Sequence, residues 1–472
     1  MAGIHRHNLI ALSDLHFGSE LVQHVRPEAP RRTRLGERRD REFAALLDWY
    51  REHPVGGLPW RLVINGDFID FAGMSVMTAP EELETEPNDE ERSHGLGGAR
   101  DHALAKLGLV FENHEAALTS LARFVAAGNT LVIVHGNHDV DWHWRAVQRD
   151  FRRRLARLAP FAPAQVQFAP WFYYEKDLVY LEHGHQYDAL CSYDHVLFPV
   201  LPSDQRRTSR SLSDVLVRYV VRPTRGMLEA GHDALSFADY MRFAAQLGFR
   251  GMFALARRFL AANRALYHAW RESMSAAALQ ARSVHRRRMR AMSAAYRINL
   301  KKLRKLAVLQ PPPVTRSLRA ILGSVMMDSI LLGLLVALLG VLGLVLLPLS
   351  YAAVTALVLA AAFGGVHRVW KGQRVLEPSA VLRERSIGVA KLFPAAFVVM
   401  GHTHLPEMTA TTEVTTYVNL GAWAEEETPD GKPSALPATR THLVLALAGQ
   451  SVRAELRAWE GDQPKTLEST ST

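Results

Sequence analysis

Short apolar runs and longer amphipathic stretches alternate along residues 1–185, and strand-like runs return after residue 395. The runs are rich in aliphatic and β-branched residues, as in buried strands, whereas Arg38–Glu52 and His102–Ala127 carry apolar residues at helical spacing. The predicted strands are Leu9–Leu12, Leu62–Ile64, Thr130–Val134, Leu178–Leu181, Ala396–Val399, Thr416–Leu420 and His442–Leu447. Strands that alternate with helices predict an α/β fold class.

Residues 186–395 interrupt this alternation and predict a helical insertion. Val215–Leu309 is rich in Ala, Leu, Met and Arg, and the proline triplet 311–313 should end it, because proline lacks a backbone donor. The end of this stretch is basic: Arg286, Arg287, Arg288, Arg290, Arg297, Lys301, Lys302, Arg304 and Lys305. The chain thus divides into a first α/β part at 1–185, the insertion at 186–395, a second α/β part at 396–460, and a polar tail at 461–472 that we expect to be disordered.

The insertion contains a long stretch without charge. Ser329–Val366 has no Asp, Glu, Lys or Arg over 366 − 329 + 1 = 38 residues. As a helix it would extend about 57 Å at roughly 1.5 Å per residue, close to two crossings of a hydrocarbon core about 30 Å thick. Pro348 lies near its middle, so we expect a helical hairpin within residues 320–368.

Basic residues flank the hairpin on both sides, at Arg316 and Arg319 before it and at Arg368 and Lys371 after it. Cytoplasmic flanks carry such an excess of positive charge, so the hairpin predicts a membrane anchor with both ends in the cytoplasm. The alternatives are a buried hairpin, an apolar surface for oligomerisation, or shallow membrane insertion.

The segment Thr78–Arg100 is acidic and contains Pro80, Pro87 and several glycines. This composition predicts a mobile loop, serving either as a flap beside a site or as a solvated surface loop.

Composition narrows the function classes. The 472-residue chain has a net charge of +9 and a pI near 9.7, which favours an anionic partner such as a phosphate substrate, anionic lipid or nucleic acid. Its single cysteine, Cys191, excludes an internal disulfide framework and fits a reducing compartment. The polar start at Met1–Asn8 predicts no N-terminal signal peptide.

Metal-type ligands follow five of the predicted strands. The motifs are Asp14-Leu15-His16, Gly66-Asp67, Gly136-Asn137-His138-Asp139, His183-Gly184-His185 and Gly401-His402-Thr403-His404. Strands that each end in such a ligand can bring them together at one edge of a sheet. The ligands on both sides of the hairpin then require it to cross the membrane an even number of times, or not at all.

Carboxylates, imidazoles and an amide oxygen are the ligands that suit a pair of hard or borderline divalent ions. Two such ions about 3.5–4 Å apart acidify a water, neutralise phosphoryl oxygens and orient the attack on a phosphoester. The motifs therefore predict a phosphoester hydrolase that uses a metal-activated water.

The five motifs, in this order, resemble the calcineurin-like metallophosphoesterase superfamily over about 1–185 and 396–425. The resemblance implies a four-layer sandwich of two mixed β-sheets flanked by helices, here with a large helical insertion. It also implies ligands: Asp14, His16 and His404 for one metal, Asn137, His183 and His402 for the other, and Asp67 bridging both. His138 would either protonate the leaving alkoxide or steady the phosphate, and Asp139 would orient His138. The two ions would be Mn²⁺, with Fe or Zn as alternatives.

Three residues near these motifs keep open roles. His185 is either a substrate contact or a support for His183. Asp70 is expected to lie behind the ligands, and Asn419 either touches the site or supports the structure around it.

Within the superfamily, His183-Gly184-His185 followed by a helical insertion resembles the UDP-2,3-diacylglucosamine pyrophosphohydrolases, which act on a lipid-linked pyrophosphate at the membrane surface. This resemblance suggests a lipid-linked or membrane-proximal phosphodiester or pyrophosphate, and a catalytic domain on the cytoplasmic side of a bacterial inner membrane. The alternatives are a membrane-tethered phosphodiesterase or nuclease with a soluble substrate, and a non-catalytic membrane scaffold. Nucleic acid is the less favoured partner, because the basic helices lead into the apolar hairpin.

Overall fold

The computed structural model describes residues 7–227, 247–324, 327–372, 378–425, 438–448 and 451–471. Twelve strands in this part of the chain form two mixed sheets. The first sheet has the order β12-β11-β10-β1-β2-β3-β4, and the second has the order β5-β6-β7-β9-β8. The strands are β1 Asn8–Leu12, β2 Trp60–Asn65, β3 Thr130–Val134, β4 Val166–Ala169, β5 Phe172–Glu175, β6 Asp177–Glu182, β7 Ala395–Met400, β8 Glu407–Thr412, β9 Thr415–Asn419, β10 Thr441–Ala448, β11 Ser451–Glu460 and β12 Gln463–Ser471.

Thirteen α-helices are described in the same residues. They are α1 Arg34–Glu52, α2 Asp89–His94, α3 Arg100–Asn113, α4 Glu115–Ala126, α5 Arg145–Leu158, α6 Leu212–Leu216, α7 Gly248–Ser273, α8 Ala276–Ala295, α9 Leu300–Leu309, α10 Leu318–Ser324, α11 Met327–Leu346, α12 Leu349–Gly372 and α13 Pro378–Leu392. A π-helical turn, Val217–Val221, follows α6 directly.

Three apolar cores separate four layers. One core lies between the first sheet and α1, α3, α4 and α5. The second fills the space between the sheets, where Val63 and Val132 meet Phe397 and Val399. The third packs α8, α9 and α13 on the outer face of the second sheet. The expected sandwich of two mixed sheets flanked by helices is therefore consistent with the described fold.

The strand topology brings the predicted ligands together at one edge of the sandwich. Strands β1, β2 and β3 run parallel in the first sheet, and β6 and β7 run parallel in the second. Each of these five strands is followed within a few residues by one of the metal-type motifs. All seven strands predicted from the sequence are present, within two residues at either end.

Three expectations about other segments need correction. The predicted helix His102–Ala127 is two helices, α3 and α4, separated at His114, whose ring is buried against Phe17 and hydrogen-bonds Asp40. Residues 463–471 of the tail form β12 rather than a disordered end. They pair with β11 across a tight turn at Gly461, where a φ of +69° suits glycine.

The acidic segment Thr78–Arg100 is not a mobile loop but a folded part of the domain. It forms α2, which begins with a capping box between Asn88 and Glu91. Arg207 donates to both oxygens of the fully buried Glu91 at 3.0 Å, and Arg210 and Arg218 pair with Glu90. The acidic residues therefore anchor arginines that lie beyond residue 185.

The predicted hairpin corresponds to α11 and α12, which pack side by side across a two-residue connection. Among the described helices, one segment, Leu349–Val369 of α12, is long and apolar enough to cross a membrane, and the apolar part of α11, Leu332–Leu346, is shorter. Only 6% of the α12 segment is buried, so its apolar side chains face outward. Residues 228–246 of the predicted helical stretch lie outside the described residues.

Candidate metal centre

The loops that carry the ligands have an unusual backbone. Asp14, His16, Asp67, His402 and His404 all have φ between +47° and +70°. This left-handed region costs a non-glycine residue on the order of 1–3 kcal/mol, and such residues cluster at functional sites. The strain turns each chain back at its strand end, so that the side chains converge.

The glycines of the motifs allow the close approach of these loops. A Cβ atom at Gly66 would lie 2.4 Å from the imidazole of His183, and one at Gly136 would lie 2.1 Å from Oδ1 of Asp67. Both contacts are far inside van der Waals distance. Each glycine is therefore required where the backbone touches a ligand from another strand.

Asp14, His16 and His404 form the first ligand group. Oδ1 of Asp14 lies 3.2 Å from Nε2 of His404 and 3.7 Å from Nε2 of His16. Oδ1 of Asp14 and Nε2 of His16 are buried, and neither has a hydrogen-bond partner among the described residues. Buried polar atoms without a partner are costly, and a cation between them would satisfy both.

Asp67 connects this group to a second one. Its Oδ2 lies 3.7 Å from Nε2 of His16 and 3.2 Å from Nε2 of His183. Nε2 of His183 in turn lies 3.2 Å from the amide oxygen of Asn137. The carboxylate predicted to bridge two ions thus stands between the two sets of donors.

His402 lies at the edge of the second group. Its ring centroid is 5.4 Å from that of His183, and its Nε2 lies 3.1 Å from Oδ2 of Asp188. Asp188 was not predicted from the sequence. The available signal was a carboxylate five residues after His183, because carboxylates commonly hold and orient ligand histidines.

The electrostatics of the site favour positive charge. Burial alone would raise the pKa of Asp14 and of Asp67, but the charges of His183 and other imidazoles hold both pKa values well below the usual range. Burial lowers the pKa of His183, yet the charges of Asp67 and Asp14 raise it to about 9. The carboxylates thus draw a compensating cation, and their mixture with imidazole and amide donors fits divalent ions.

His138 is held by a different carboxylate from the one expected. Its Nδ1 lies 2.7 Å from Oδ1 of Asp70, and Oδ2 of Asp70 accepts a hydrogen bond from Arg222 at 2.8 Å. The backbone N–H of His138 donates to Oδ1 of Asp67 at 2.9 Å. The carboxylate of Asp70 therefore holds the ring of His138 beside the ligands.

Asp139 instead organises the turn around the motif. Its carboxylate accepts from the backbone N–H of Gly136 at 2.6 Å and of Phe68 at 2.9 Å, and from the indole of Trp142 at 3.0 Å. Burial and the charge of Asp67 raise the pKa of Asp139 to about 7. The expected orientation of His138 by Asp139 is replaced by a link between the Gly66-Asp67 and Gly136–Asp139 loops.

Two residues with open roles now have described surroundings. His185 is buried, with its ring centroid 5.3 Å from that of His183 and its Nε2 2.9 Å from the side-chain nitrogen of Gln186. Asn419 donates to the carbonyl of Gly401 at 2.9 Å and to the hydroxyl of Thr403 at 3.0 Å. Asn419 thus supports the loop that carries His402 and His404.

Comparison with known protein families gives a match over the first part of the chain. The family model described as calcineurin-like phosphoesterase matches residues 7–225, which is less than half of the chain. No curated protein sequence matches the chain. The match indicates metal-dependent phosphoester hydrolysis, and proteins of this family usually bind a dinuclear divalent metal centre. The loop of His402 and His404 lies outside the matched residues and is joined to the site by the fold alone.

Proposed function

We propose that the protein is a phosphoester hydrolase with a dinuclear metal centre, anchored to a membrane by the α11–α12 hairpin, and that it acts on a lipid-linked or membrane-proximal phosphodiester or pyrophosphate. The main observation in favour of a hydrolase is the position of Asp67, which has one carboxylate oxygen between two groups of buried donors. The partnerless atoms of Asp14 and His16 at the same place support it.

Each residue of the proposed metal centre has a distinct role. Asp14, His16 and His404 would hold one ion, Asn137, His183 and His402 the other, and Asp67 both. When bound, the two ions would acidify a water and neutralise the phosphoryl oxygens. His138, held by Asp70 beside the ligands, donates a proton to the oxygen of the leaving group. The carboxylate of Asp188 contacts His402 and fixes the orientation of the His402 imidazole.

Metal removal tests this assignment. Protein stripped with a chelator should not hydrolyse an aryl phosphodiester, and added Mn²⁺, Fe²⁺ or Zn²⁺ should restore the rate as the bound metal approaches two ions per chain. The ion that restores the highest rate at equal occupancy identifies the preferred metal. A full rate in metal-free protein, or activity that saturates at one ion per chain, would contradict the dinuclear proposal.

The membrane part of the proposal rests on the surface of the hairpin. Large apolar side chains of α11 and α12 are exposed, including Leu338 at 65%, Val345 at 74% and Leu357 at 71%. A contiguous apolar surface of this kind marks a membrane or protein interaction site rather than a solvated face. Both ends of the hairpin return to the same domain, so the catalytic centre stays on one side of the bilayer, which we take as the cytoplasmic side.

Substrate location is tested by comparing rates. Protein reconstituted into vesicles should hydrolyse a phosphodiester lipid in the same bilayer faster than it hydrolyses its water-soluble head-group fragment at saturating concentration. Equal rates on both would favour a tethered phosphodiesterase with a soluble substrate. Two bound ions without hydrolysis of any phosphoester would favour a scaffold.

A further inference from the structure

The helices α8 and α9 present a surface of unusual charge. Residues 273–327 contain twelve Lys and Arg and no Asp or Glu. The apolar sides of the helices, with Met289 and Met292 on α8 and Leu303 and Leu306 on α9, pack into the core on the second sheet. The opposite sides are therefore left with the basic residues.

We call nine of the exposed cations of this surface the basic face. Its members are Arg282, Arg286, Arg287, Arg290, Arg297, Lys301, Lys302, Arg304 and Lys305, and all nine are exposed. Within the part of the chain that the structure describes, none of the nine forms an ion pair with a carboxylate. Tyr296, directly after α8, and Val308, on α9, are exposed at 50% and 82% and lie among them. This mixture of cations with a few apolar side chains suits an anionic, partly apolar partner.

The basic face continues directly into the apolar hairpin. Residues 310–326 separate α9 from α11 and include the turn Val314–Arg316 and the short helix α10, which packs against α11. Arg319 adds positive charge at the base of the hairpin, whereas Arg316, in the turn before α10, pairs with Asp194. A segment committed to the hydrocarbon core places its cationic neighbours at the level of the lipid head groups.

We propose that the basic face docks on anionic lipid head groups and holds the catalytic domain against the bilayer. This rests on the proposed function only in taking α11 and α12 as the neighbouring membrane segment. Nucleic acid is the other anionic partner with matching charge, and the continuity with the hairpin favours lipid.

The single buried cysteine makes a direct test possible. Cys191 is buried, so an Ala291→Cys variant of the full-length protein offers one exposed thiol on α8 for an environment-sensitive fluorophore. In nanodiscs with about one-third phosphatidylglycerol the emission should shift to the blue, and in pure phosphatidylcholine or in high salt it should not. A label at Arg123→Cys, on α4 across the sandwich, is the matched control and should not respond.

Charge reversal completes the test. The combined variant Arg286→Glu, Arg287→Glu, Arg290→Glu and Lys301→Glu should abolish the shift at Ala291→Cys while the rate on a soluble aryl phosphodiester stays within about two-fold. No shift in anionic nanodiscs, or a shift only with added oligonucleotide, overturns the lipid proposal. Loss of hydrolysis in the unaltered protein would count against the proposed function instead, because the label reports docking without turnover.

A second inference concerns Arg222, which the insertion delivers to the metal centre. Arg222 directly follows the π-helical turn Val217–Val221, and its guanidinium is buried. It donates to Oδ2 of Asp70 at 2.8 Å and to the carbonyl of Ser19 at 2.9 Å. The other oxygen of Asp70 holds Nδ1 of His138 at 2.7 Å.

We infer that Arg222 is a positioning residue for His138. By fixing one oxygen of Asp70, it fixes the other and so the orientation of the imidazole. The nearby π-turn also carries Arg218, which binds Glu90, so this part of the insertion is locked to the sandwich at two points. Single π-turns inside helices occur frequently at functional sites.

The dependence on the leaving group tests this role, which rests on the proposed acid function of His138. Arg222→Ala should lower kcat by about 10-fold or more for an alkyl phosphodiester, whose leaving alkoxide needs the proton. It should change kcat little for a p-nitrophenyl ester, whose leaving group is stable as an anion. Metal content should remain at two ions per chain, and Arg222→Lys should recover part of the alkyl rate because it keeps the charge at Asp70.

The matched control is Arg258→Ala, since Arg258 donates to Thr224 nearby without a described contact to Asp70. A loss of equal size for both leaving groups would show a merely structural role for Arg222, and an unchanged alkyl rate would show no role. If the unaltered protein hydrolyses neither ester, that result contradicts the proposed function rather than the geometric argument for Arg222.

Discussion

The sandwich and the later part of the insertion arrange charge and apolar surface in opposite ways. Two fully buried carboxylates of the sandwich have arginine partners, since Glu91 has Arg207 and Asp70 has Arg222. In α8 to α12 the cations of the basic face have no described carboxylate partner, and the apolar side chains of α12 point outward. The difference indicates that the sandwich, apart from its metal centre, pairs its buried charges within the chain, whereas the insertion presents surfaces that need an external partner.

The two regions meet at a boundary of buried ion pairs. Glu90 and Glu91 of α2 bind Arg207, Arg210 and Arg218, which lie between the sandwich and α7. Buried pairs of this kind are weak evidence for stability but strongly destabilising when one partner is removed. The boundary thus fixes how the insertion leaves the sandwich without depending on the membrane.

The largest expected effect comes from Asp67→Ala, which removes the bridging carboxylate. Turnover should fall by about 10⁴-fold or more, since most of the rate enhancement of such a site depends on the ions. Metal analysis of the purified variant should show fewer than two ions per chain. Asp177→Ala, at an exposed position outside the site, is the control. Full metal content together with full activity in Asp67→Ala would remove the basis of the assignment.

A smaller loss is expected for His138→Ala, which leaves the ligands in place. Turnover should fall by about 10²–10⁴-fold, the usual contribution of a positioned acid, with the metal content unchanged. Asp139→Asn should not reproduce this loss in a folded protein, because Asp139 contacts the turn and Asp70 holds His138. If His138→Ala loses metal rather than rate, His138 is a ligand or a folding residue.

At the boundary, Glu91→Ala should lower the free energy of unfolding by about 3–5 kcal/mol, because it leaves Arg207 buried without its main partner. Chemical denaturation followed by tryptophan fluorescence measures this change. Glu86→Ala removes an exposed pair with Arg92 in the same segment and should change stability by less than about 1 kcal/mol. If both substitutions changed stability by equal, small amounts, the segment would have to be interpreted as a solvated loop.

The smallest effect on catalysis is expected from the hairpin. Replacing residues 320–368 with a short linker should release the protein from membranes at high salt and leave the rate on a small soluble ester within about two-fold. Leu357→Arg should weaken membrane association, because an arginine at the centre of a spanning helix costs about 2.5–3.5 kcal/mol, whereas Leu357→Ala should not.

The membrane interpretation has a clear contrary outcome. Full-length protein that is soluble without detergent and does not float with liposomes would make the hairpin a buried or oligomer-forming element. A shift in oligomeric state on removal of residues 320–368, with no change in flotation, would favour an interface between copies of the chain.

Much of the centre was predictable because its information is local. An apolar strand followed by Gly66-Asp67 or by Gly136-Asn137-His138 already states the ligand type and its place at a strand end. The length and lack of charge of the hairpin are equally local. The tail is the counterexample, since the turn signal at Gly461 was present but the polar residues after it gave no apolar alternation.

Partners of buried charges were not predictable in this way. Arg222 meets Asp70 across 152 positions, and Arg207 meets Glu91 across 116. Neither pairing leaves a pattern in a single sequence, because a charged residue on a surface and one in a buried pair have the same letter. The acidic composition of Thr78–Arg100 therefore predicted a solvated loop, whereas in the fold its acidic residues pair with arginines.

The sequence by itself determined the chemistry of the donors, the α/β alternation and the apolar hairpin, since these follow from residue type and from spacing within a few turns or strands. Tertiary structure alone decided that Asp70 rather than Asp139 holds His138, that Asp188 meets His402, and that nine cations without a carboxylate partner in the described part of the chain share one face. The physical reason is that hydrogen bonds and ion pairs depend on distances of about 3 Å between side chains, and only the packing of the two sheets and the insertion sets those distances.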